Sequence, residues 1–73
     1  MDRLTIRTAI GRNIRHRRLI NGLSEEALAM RMSITAKRLL KYESGTDSPT
    51  CDELVEMAVV LRCTVDDLCR DDA

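Results

Sequence analysis

Three cationic side chains, Lys37, Arg38 and Lys41, carry the clearest binding chemistry in this sequence. Ammonium and guanidinium groups donate hydrogen bonds to phosphate oxygens and to the edges of guanine bases. Two of the three lie in the first turn of a predicted helix, where the helix dipole disfavours positive charge. A polyanion lying across this end of the helix would offset that cost, so the pattern indicates a contact with nucleic acid.

The helix that carries these cations has two chemically different sides. At about 100° per residue, one stripe of it is predicted to face outward: Ala36, Lys37, Leu40 and Lys41. Leu39 and Tyr42 point to another side, where we expect them to enter the core. On the outward stripe, the lysines suit guanine edges or phosphates, and the apolar side chains suit thymine methyl groups.

A second helical pattern precedes this one and is joined to it by a tight turn. It spans Glu25 to Met32, with Ser24 as the expected N-cap and acids in its first turn, where the dipole favours them. After the turn, Thr35 is the expected cap of the cationic helix, which is predicted to run to about Ser44. Gly45 then supplies the left-handed conformation that commonly ends a helix.

The segment from Leu23 to Gly45 resembles, without a gap, the helix-turn-helix of the phage-repressor and Cro-type (XRE) family of DNA-binding proteins. The residues that carry the resemblance are Leu23, Ser24, Glu26, Leu28, Ala29, Ile34, Leu39, Tyr42, Glu43 and Gly45. The likeness continues from Ile10 to about Leu68 and so covers most of the chain. It implies one domain over residues 1–73 with a core of about 6–69, in an all-α, compact five-helix, lambda-repressor-like fold.

The resemblance also implies a function, that of a sequence-specific DNA-binding regulator of transcription. Repression is the expected action, with helix 36–44 inserted into the major groove. The DNA-binding positions expected from the resemblance and from the outward stripe are Ser24, Glu25, Thr35, Ala36, Lys37, Arg38, Leu40, Lys41, Ser44 and Thr46. Double-stranded DNA is therefore the expected partner, and no cofactor is expected.

Some positions depart from the family pattern. The family usually has Gln where this chain has Glu25, and a carboxylate there repels phosphate. The family's turn glycine is replaced by Ser33, which tolerates a left-handed backbone less well. The loop after the cationic helix offers hydroxyl groups, such as those of Ser44 and Thr46, where related domains often carry basic residues. These hydroxyls either donate to phosphates or act only as turn formers and caps.

Arg18 continues by one turn the stripe of Ile6, Ile10 and Ile14 that is predicted to be the buried side of the first helix. A guanidinium at the edge of a core needs a partner. In the family, an arginine at this place pairs with the glutamate that ends the recognition helix, which is Glu43 here. The alternative is that both side chains are solvated.

Start and stop signals mark the other helices. The first is expected to run from near Thr5 or Thr8 to Asn21 and to end at Gly22. Gly11 inside it costs about 1 kcal/mol against Ala, which indicates that close helix packing requires it. Two capping boxes open the last two helices: Thr50 with Glu53, and Thr64 with Asp67. The core residues expected from the fourth helix are Leu54, Met57, Ala58 and Leu61. The fifth helix is expected over Val65–Cys69, with Val65 and Leu68 in the core.

The fourth helix carries more apolar surface than its core side needs, at Val55, Val59 and Val60. A domain of 73 residues without Phe or Trp gains stability by burying such a patch against a second copy. We therefore expect a homodimer through the C-terminal helices, which would also place two reading helices in successive major grooves. The alternative is that these valines only close the core of the monomer.

The net charge of the chain is zero, but the charge is unevenly divided. Residues 1–45 hold ten Lys/Arg against four Asp/Glu, and residues 46–73 hold two against eight. The two parts therefore carry local charges of +6 and −6, and such a domain can present a positive face to DNA.

Several classes of protein are disfavoured by the sequence. It has no run of 18 apolar residues and no visible signal peptide, so we expect a cytoplasmic protein with no membrane partner. Three cysteines at spacings of twelve and six residues, even with His16, fit neither a disulfide framework nor a zinc site. No Ser or Cys has an evident base and no Gly-rich loop can cradle phosphate, so we expect no metal and no enzyme activity.

A protein-interaction module on the same scaffold, such as an antirepressor, adaptor or antitoxin-like protein, is the alternative function. Glu25, the loop without basic residues and the zero net charge favour it. A fold alone does not separate the two functions.

Overall fold

The computed structural model describes residues 3–71, and within that range the secondary structure consists of α-helices without strands. The helices are α1 (Arg3–Ile20), α2 (Glu25–Met32), α3 (Ala36–Glu43), α4 (Cys51–Val60) and α5 (Val65–Cys69). The predicted all-α, five-helix fold, with α2 and α3 as the helix-turn-helix, is therefore confirmed.

A hydroxyl side chain caps the start of every helix after α1. Ser24, Thr35, Thr50 and Thr64 each accept a hydrogen bond of 3.0–3.1 Å from the backbone N–H three residues later. Both predicted capping boxes are complete, because the acid in each accepts a bond from the backbone N–H of its cap. These bonds satisfy donors that have no partner inside the first turn of a helix. The four predicted caps are confirmed.

Three predicted helix boundaries differ from the structure. α1 already includes Arg3, earlier than the predicted start near Thr5 or Thr8, because residues 3–8 contain neither Gly nor Pro to interrupt it. α1 also ends at Ile20, one residue before the predicted Asn21, and α3 stops one residue earlier than predicted, since Ser44 is its C-cap. The two one-residue differences are of the size expected at helix ends.

The turn between α2 and α3 is made by a residue other than glycine. Ser33 adopts a left-handed conformation with φ of 56°, and its N–H donates to the Met30 carbonyl at 3.1 Å. This conformation costs an L-residue roughly 1–2 kcal/mol. After α3, Gly45 has φ of 79°, as predicted, and meets no such cost.

The core is aliphatic apart from one aromatic ring. Its buried side chains are those of Ala9, Ile10, Ile14, Leu28, Ala29, Met32, Leu39, Tyr42, Met57, Ala58, Leu61 and Leu68. Three residues predicted to be buried are not in this set, and the first of them, Leu54, is partly buried and packs against the core. Ile6 is exposed because it lies one turn beyond the covered part of α1, and Val65 is also exposed, so Leu68 docks α5.

α1 is the central element of the fold, since it packs against both α3 and α5. α2 packs against α3 and α4, and α4 packs against α5. The Asn13 side-chain amide donates to the Leu68 carbonyl at 3.0 Å and joins α1 to α5. None of the helices in the described part of the chain combines the length and apolar character needed to cross a membrane.

α1 and α3 approach most closely at Gly11. A Cβ atom at this position would lie 2.6 Å from the Glu43 carbonyl oxygen and closer still to that of Tyr42. Both obstacles are backbone atoms at the end of α3, which cannot give way as the tip of a side chain can. The last turn of α3 therefore rests directly on the backbone of α1.

We expect Gly11→Ala to separate α1 from α3 and to lower the free energy of unfolding by at least the 1–3 kcal/mol or so that overpacking typically costs. Gly22→Ala is the matched control, because nothing lies within 4 Å of the added methyl group. The control should cost only the strain of a left-handed alanine, about 1–2 kcal/mol, since φ of Gly22 is +68°. Urea denaturation followed by circular dichroism measures both variants. A Gly11→Ala protein as stable as the parent would show that the helices are not held at this distance.

Candidate nucleic-acid interface

A groove on the outer side of α3 brings the predicted cations together. Its lining residues are Thr35, Lys37, Arg38, Lys41 and Asp47. Both lysines are exposed, and within residues 3–71 neither forms an ion pair. Three cations and one carboxylate thus share a surface open to solvent, and the surplus positive charge suits an anionic partner.

The two apolar residues predicted for the outward stripe of α3 differ in exposure. Leu40 is half exposed, so its side chain is available to a partner. Ala36 is only partly exposed and packs against the core, because the first residue of α3 follows the turn that holds α3 on α2. The structure therefore corrects the expectation that Ala36 faces wholly outward.

Arg38 differs from the two lysines because its guanidinium is already held. Its Nε donates a hydrogen bond to the Tyr42 hydroxyl, and its Nη2 lies 3.4 Å from Glu53 Oε2. The guanidinium carbon also lies 5.7 Å from the centroid of the Tyr42 ring, within cation–π range. The hydrogen bond to Tyr42 and the charge of Glu53 raise the pKa of Arg38. The sequence had suggested only a contact between Arg38 and DNA.

Glu53 connects this arginine to the start of α4. Its Oε1 accepts hydrogen bonds of 2.8 Å from the Tyr42 hydroxyl and from the Thr50 backbone N–H. Partial burial opposes ionisation of this carboxyl group, but these bonds and the charge of Arg38 outweigh it and lower the pKa of Glu53. Burial, together with the bond to Glu53, raises the pKa of Tyr42. The sequence had identified Glu53 only as part of a capping box.

Arg18 and Glu43 form a buried ion pair between α1 and the end of α3. Arg18 Nε donates to Glu43 Oε2 at 2.7 Å and Nη2 donates to Oε1 at 3.0 Å, while the two side chains are only 8% and 7% exposed. Arg18 Nη1 also donates to the Leu23 carbonyl at 3.0 Å. The hydrogen bond that Arg18 donates to Glu43 outweighs desolvation and raises the pKa of Arg18. The structure thus contains the pair that the family resemblance implied.

Glu25 lies beside this pair. It lines a cleft together with Arg15, Arg18, Leu40, Glu43 and Ser44. Its Oε2 atom is buried and has no hydrogen-bond partner among residues 3–71. The cleft therefore contains a carboxylate oxygen that can still accept a hydrogen bond. It lies near the end of α3, at the edge of the cationic surface.

The hydroxyls after α3 bond to one another. Ser44 Oγ donates to the Lys41 carbonyl at 3.1 Å and lies 2.9 Å from Thr46 Oγ1. Both residues are exposed, so each hydroxyl keeps capacity for a further hydrogen bond. Of the two roles considered from sequence, the turn-forming one is visible in these contacts.

The exposed apolar stripe of α4 is smaller than predicted. Val55 and Val59 are 53% and 75% exposed and lie four residues apart on the outer side of the helix. Val60 instead packs against the core, and this corrects the expectation that all three valines are spare surface. Val60 lines a cleft together with Asn21 and Leu23, neighbours that periodicity within α4 does not indicate.

The described residues include no cluster of three or more His, Cys, Asp or Glu side chains arranged to hold a metal ion. Cys51, Cys63 and Cys69 are free thiols, and burial raises the pKa of Cys63 and of Cys69.

Comparison with known proteins adds a family and several similar folds. The family model HTH_3, described as helix-turn-helix, matches residues 14–68, which is most of the chain. The restriction-modification controller protein C.AhdI from Aeromonas hydrophila is similar with a TM-score of 0.79 and 22% identity, over 85% of this chain and 94% of that one. The hypothetical transcription factor NHTF from Neisseria has a TM-score of 0.86 and 21% identity, over 99% and 83%.

A third similar structure is the clp gene regulator ClgR from C. glutamicum, with a TM-score of 0.80 and 24% identity, over 86% of this chain and 82% of that one. At these identities the structures establish likeness of fold. Among curated proteins, no significant match is found.

We expect Glu43→Gln to destabilise the protein strongly, because it leaves Arg18 buried without its counter-charge. Removing one partner of a buried pair typically costs about 3–5 kcal/mol, a large part of the stability of a small domain. The control is Asp66→Asn, which removes one partner of the exposed Arg70–Asp66 pair and should change stability by about 0.5 kcal/mol or less. Thermal and urea unfolding measure both. Equal melting of Glu43→Gln and the parent would mean that the pair does not hold α3 in place.

Proposed function

Since the chain belongs to the HTH_3 helix-turn-helix family, a family of DNA-binding regulators rather than enzymes, we propose that it is a sequence-specific repressor of transcription. In this proposal α3 enters the major groove of double-stranded DNA. The observation that carries it is a pair of exposed lysines, Lys37 and Lys41, which share one groove on the outer side of α3 and form no ion pair among residues 3–71.

The spacing of the two lysines suits a helix that reads base edges. They are four residues apart and so lie on the same side of α3, one turn from each other. Lys37 is in the first turn, the part of a recognition helix that contacts bases in helix-turn-helix proteins. Leu40 lies between them in sequence and is half exposed, which suits contact with a thymine methyl group.

Four hydroxyl residues suit contacts with the DNA backbone in this proposal: Ser24, Thr35, Ser44 and Thr46. Thr35 lines the groove of the two lysines. Each of the four is exposed and carries a hydroxyl group. Backbone contacts of this kind fix the register of a protein on the duplex without reading sequence. Glu25 opposes them, because its carboxylate repels phosphate.

We propose that repression occurs by exclusion of other proteins from the DNA. The described residues extend over 31 × 22 × 20 Å, so a bound molecule covers the DNA that it contacts and excludes other proteins from it.

We also propose that two copies act together as a homodimer. Val55 and Val59 form an apolar stripe on α4, and the adjoining helix α5 is short and acidic, with Asp66 and Asp67 in its first turn. Pairing through α4 would bury the stripe and keep the acidic helix away from DNA. A two-fold dimer would also place two copies of α3 in successive major grooves.

A protein-interaction module is the second candidate function. The buried Oε2 of Glu25 has no hydrogen-bond partner among residues 3–71. This atom supports the second candidate, since a partner with an N–H or ammonium donor would satisfy it better than phosphate would.

The main test is binding of the chain to duplex DNA over a salt series. We expect affinity to fall steeply with salt. Lys37→Ala and Lys41→Ala should each lose roughly 1–3 kcal/mol of binding free energy if the lysine contacts a base. If it contacts a phosphate, the slope of log affinity against log salt concentration should fall by about 0.9. Thermal stability should change by only about 0.5 kcal/mol, because both positions are exposed. Arg12→Ala is the control, since it removes an exposed cation that pairs with Asp71 near the end of α5. No binding by the parent at low salt would favour the interaction module, and unchanged binding by both lysine variants would exclude α3 as the reader.

The homodimer is tested by sedimentation equilibrium at micromolar concentration. We expect a species of twice the 8.3 kDa chain mass, and expect Val59→Asp to dissociate it because a carboxylate would be buried in the interface. Leu19→Asp is the control, an exposed apolar residue on α1. A parent protein that sediments only at the monomer mass would contradict the dimer.

A further inference from the structure

The contact between Arg38 and Glu53 has a consequence for DNA binding that rests on the proposed function. Arg38 lines the same groove as Lys37 and Lys41, yet its guanidinium lies 3.4 Å from a carboxylate. Of the three cations in that groove, it alone is paired within residues 3–71. The groove thus holds one cation whose charge is already partly compensated.

The two partners are held very differently. Glu53 is 15% exposed, and its Oε1 is fixed by hydrogen bonds from the Tyr42 hydroxyl and the Thr50 N–H. Arg38 is half exposed, and its contacts with Tyr42 and Glu53 come from side chains alone. The carboxylate is therefore a fixed acceptor, and the guanidinium is the partner that can leave.

Phosphate and carboxylate compete for the same donors. A guanidinium forms paired N–H···O bonds with either anion, so Arg38 cannot give its full donor set to both at once. An exposed ion pair contributes little to stability, so a phosphate next to the groove can displace the carboxylate. Tyr42 and Glu53 remain bonded to each other when Arg38 leaves, because the Tyr42 hydroxyl donates to Glu53 independently.

We propose that Glu53 sets the DNA affinity of α3 by competing with phosphate for Arg38. Glu53 need not touch DNA in this role. Glu53, at the start of α4, acts on the Arg38 side chain of α3. It lowers DNA affinity because Arg38 must lose its interaction with Glu53 before it binds phosphate. Glu53 does not line the groove itself. The carboxylate that does is Asp47, which accepts a hydrogen bond from the Ser48 N–H and is not ion-paired with Arg38.

The test is a double-mutant cycle on binding to a random-sequence duplex, with Glu53→Gln, Arg38→Ala and the two combined. Glutamine at this position of a capping box still accepts the bond from the cap, so the start of α4 stays formed. We expect Glu53→Gln to tighten binding by roughly two- to fivefold, the range implied by release of an exposed ion pair. The log–log salt slope should also steepen, by up to about 0.9 if Arg38 gains a full phosphate contact.

Arg38→Ala should weaken binding and make the salt slope shallower, and adding Glu53→Gln to it should change nothing further. Glu56→Gln is the matched control, since it removes the same charge from an exposed position of α4 one turn away from the start. Thermal melting of every variant establishes that the fold is retained. If the effects of Glu53→Gln on affinity and on salt slope vanish without Arg38 and are absent in Glu56→Gln, they are due to Arg38 and not to net charge.

Several results would overturn the proposal. A gain that persists in the Arg38→Ala background, or one matched by Glu56→Gln, would mean that Glu53 acts only through net charge. Weaker binding by Glu53→Gln would mean that Glu53 holds Arg38 in place for DNA. Failure of the parent to bind any duplex would remove the proposed function as well, whereas lysine-dependent binding without coupling between Arg38 and Glu53 would remove this inference alone.

Discussion

The attachment of α3 to α1 is the constraint on which the rest of the structure depends. Besides the packing of their apolar side chains, two contacts position the helices, and both act on the last turn of α3. Gly11 lets the carbonyl groups of Tyr42 and Glu43 rest on the backbone of α1, and Arg18 holds the Glu43 carboxylate through two hydrogen bonds. The first contact fixes the distance between α1 and α3. The second fixes the orientation of α3, because a guanidinium pairs with a carboxylate in few orientations. A buried ion pair gains little net energy after desolvation, so direction is its main contribution here.

The cations of this protein show that surroundings decide what a charged residue does. Arg18 is enclosed and serves the fold, Arg38 is held at the surface by Tyr42 and Glu53, and Lys37 and Lys41 are exposed without an ion pair among residues 3–71. A net charge of zero is therefore compatible with a positive surface. The acids that balance the charge lie mostly in the second half of the chain, at the starts of α4 and α5 and beyond.

Features governed by local rules were predictable from sequence, and features that need a distant partner were not. The caps, the capping boxes and the apolar side of α3 follow from spacing over three or four residues, and the Arg18–Glu43 pair followed from family resemblance. The link from Arg38 to Glu53 was missed because it depends on how the start of α4 is set against α3. Ile6 and Val60 were misplaced for a related reason, since the period of a helix indicates a side but not what covers it.

The single aromatic residue of the chain lies at the junction just described. Tyr42 is buried, its carbonyl faces Gly11, and its hydroxyl bonds to Arg38 and Glu53. The sequence contains no Trp and no Phe. Near-ultraviolet absorption, circular dichroism and intrinsic fluorescence from the aromatic side chains of this chain therefore arise from one ring, with no second such chromophore in the same chain. Optical spectra of the unlabelled protein are consequently a local measurement of the place where α1, α3 and α4 meet.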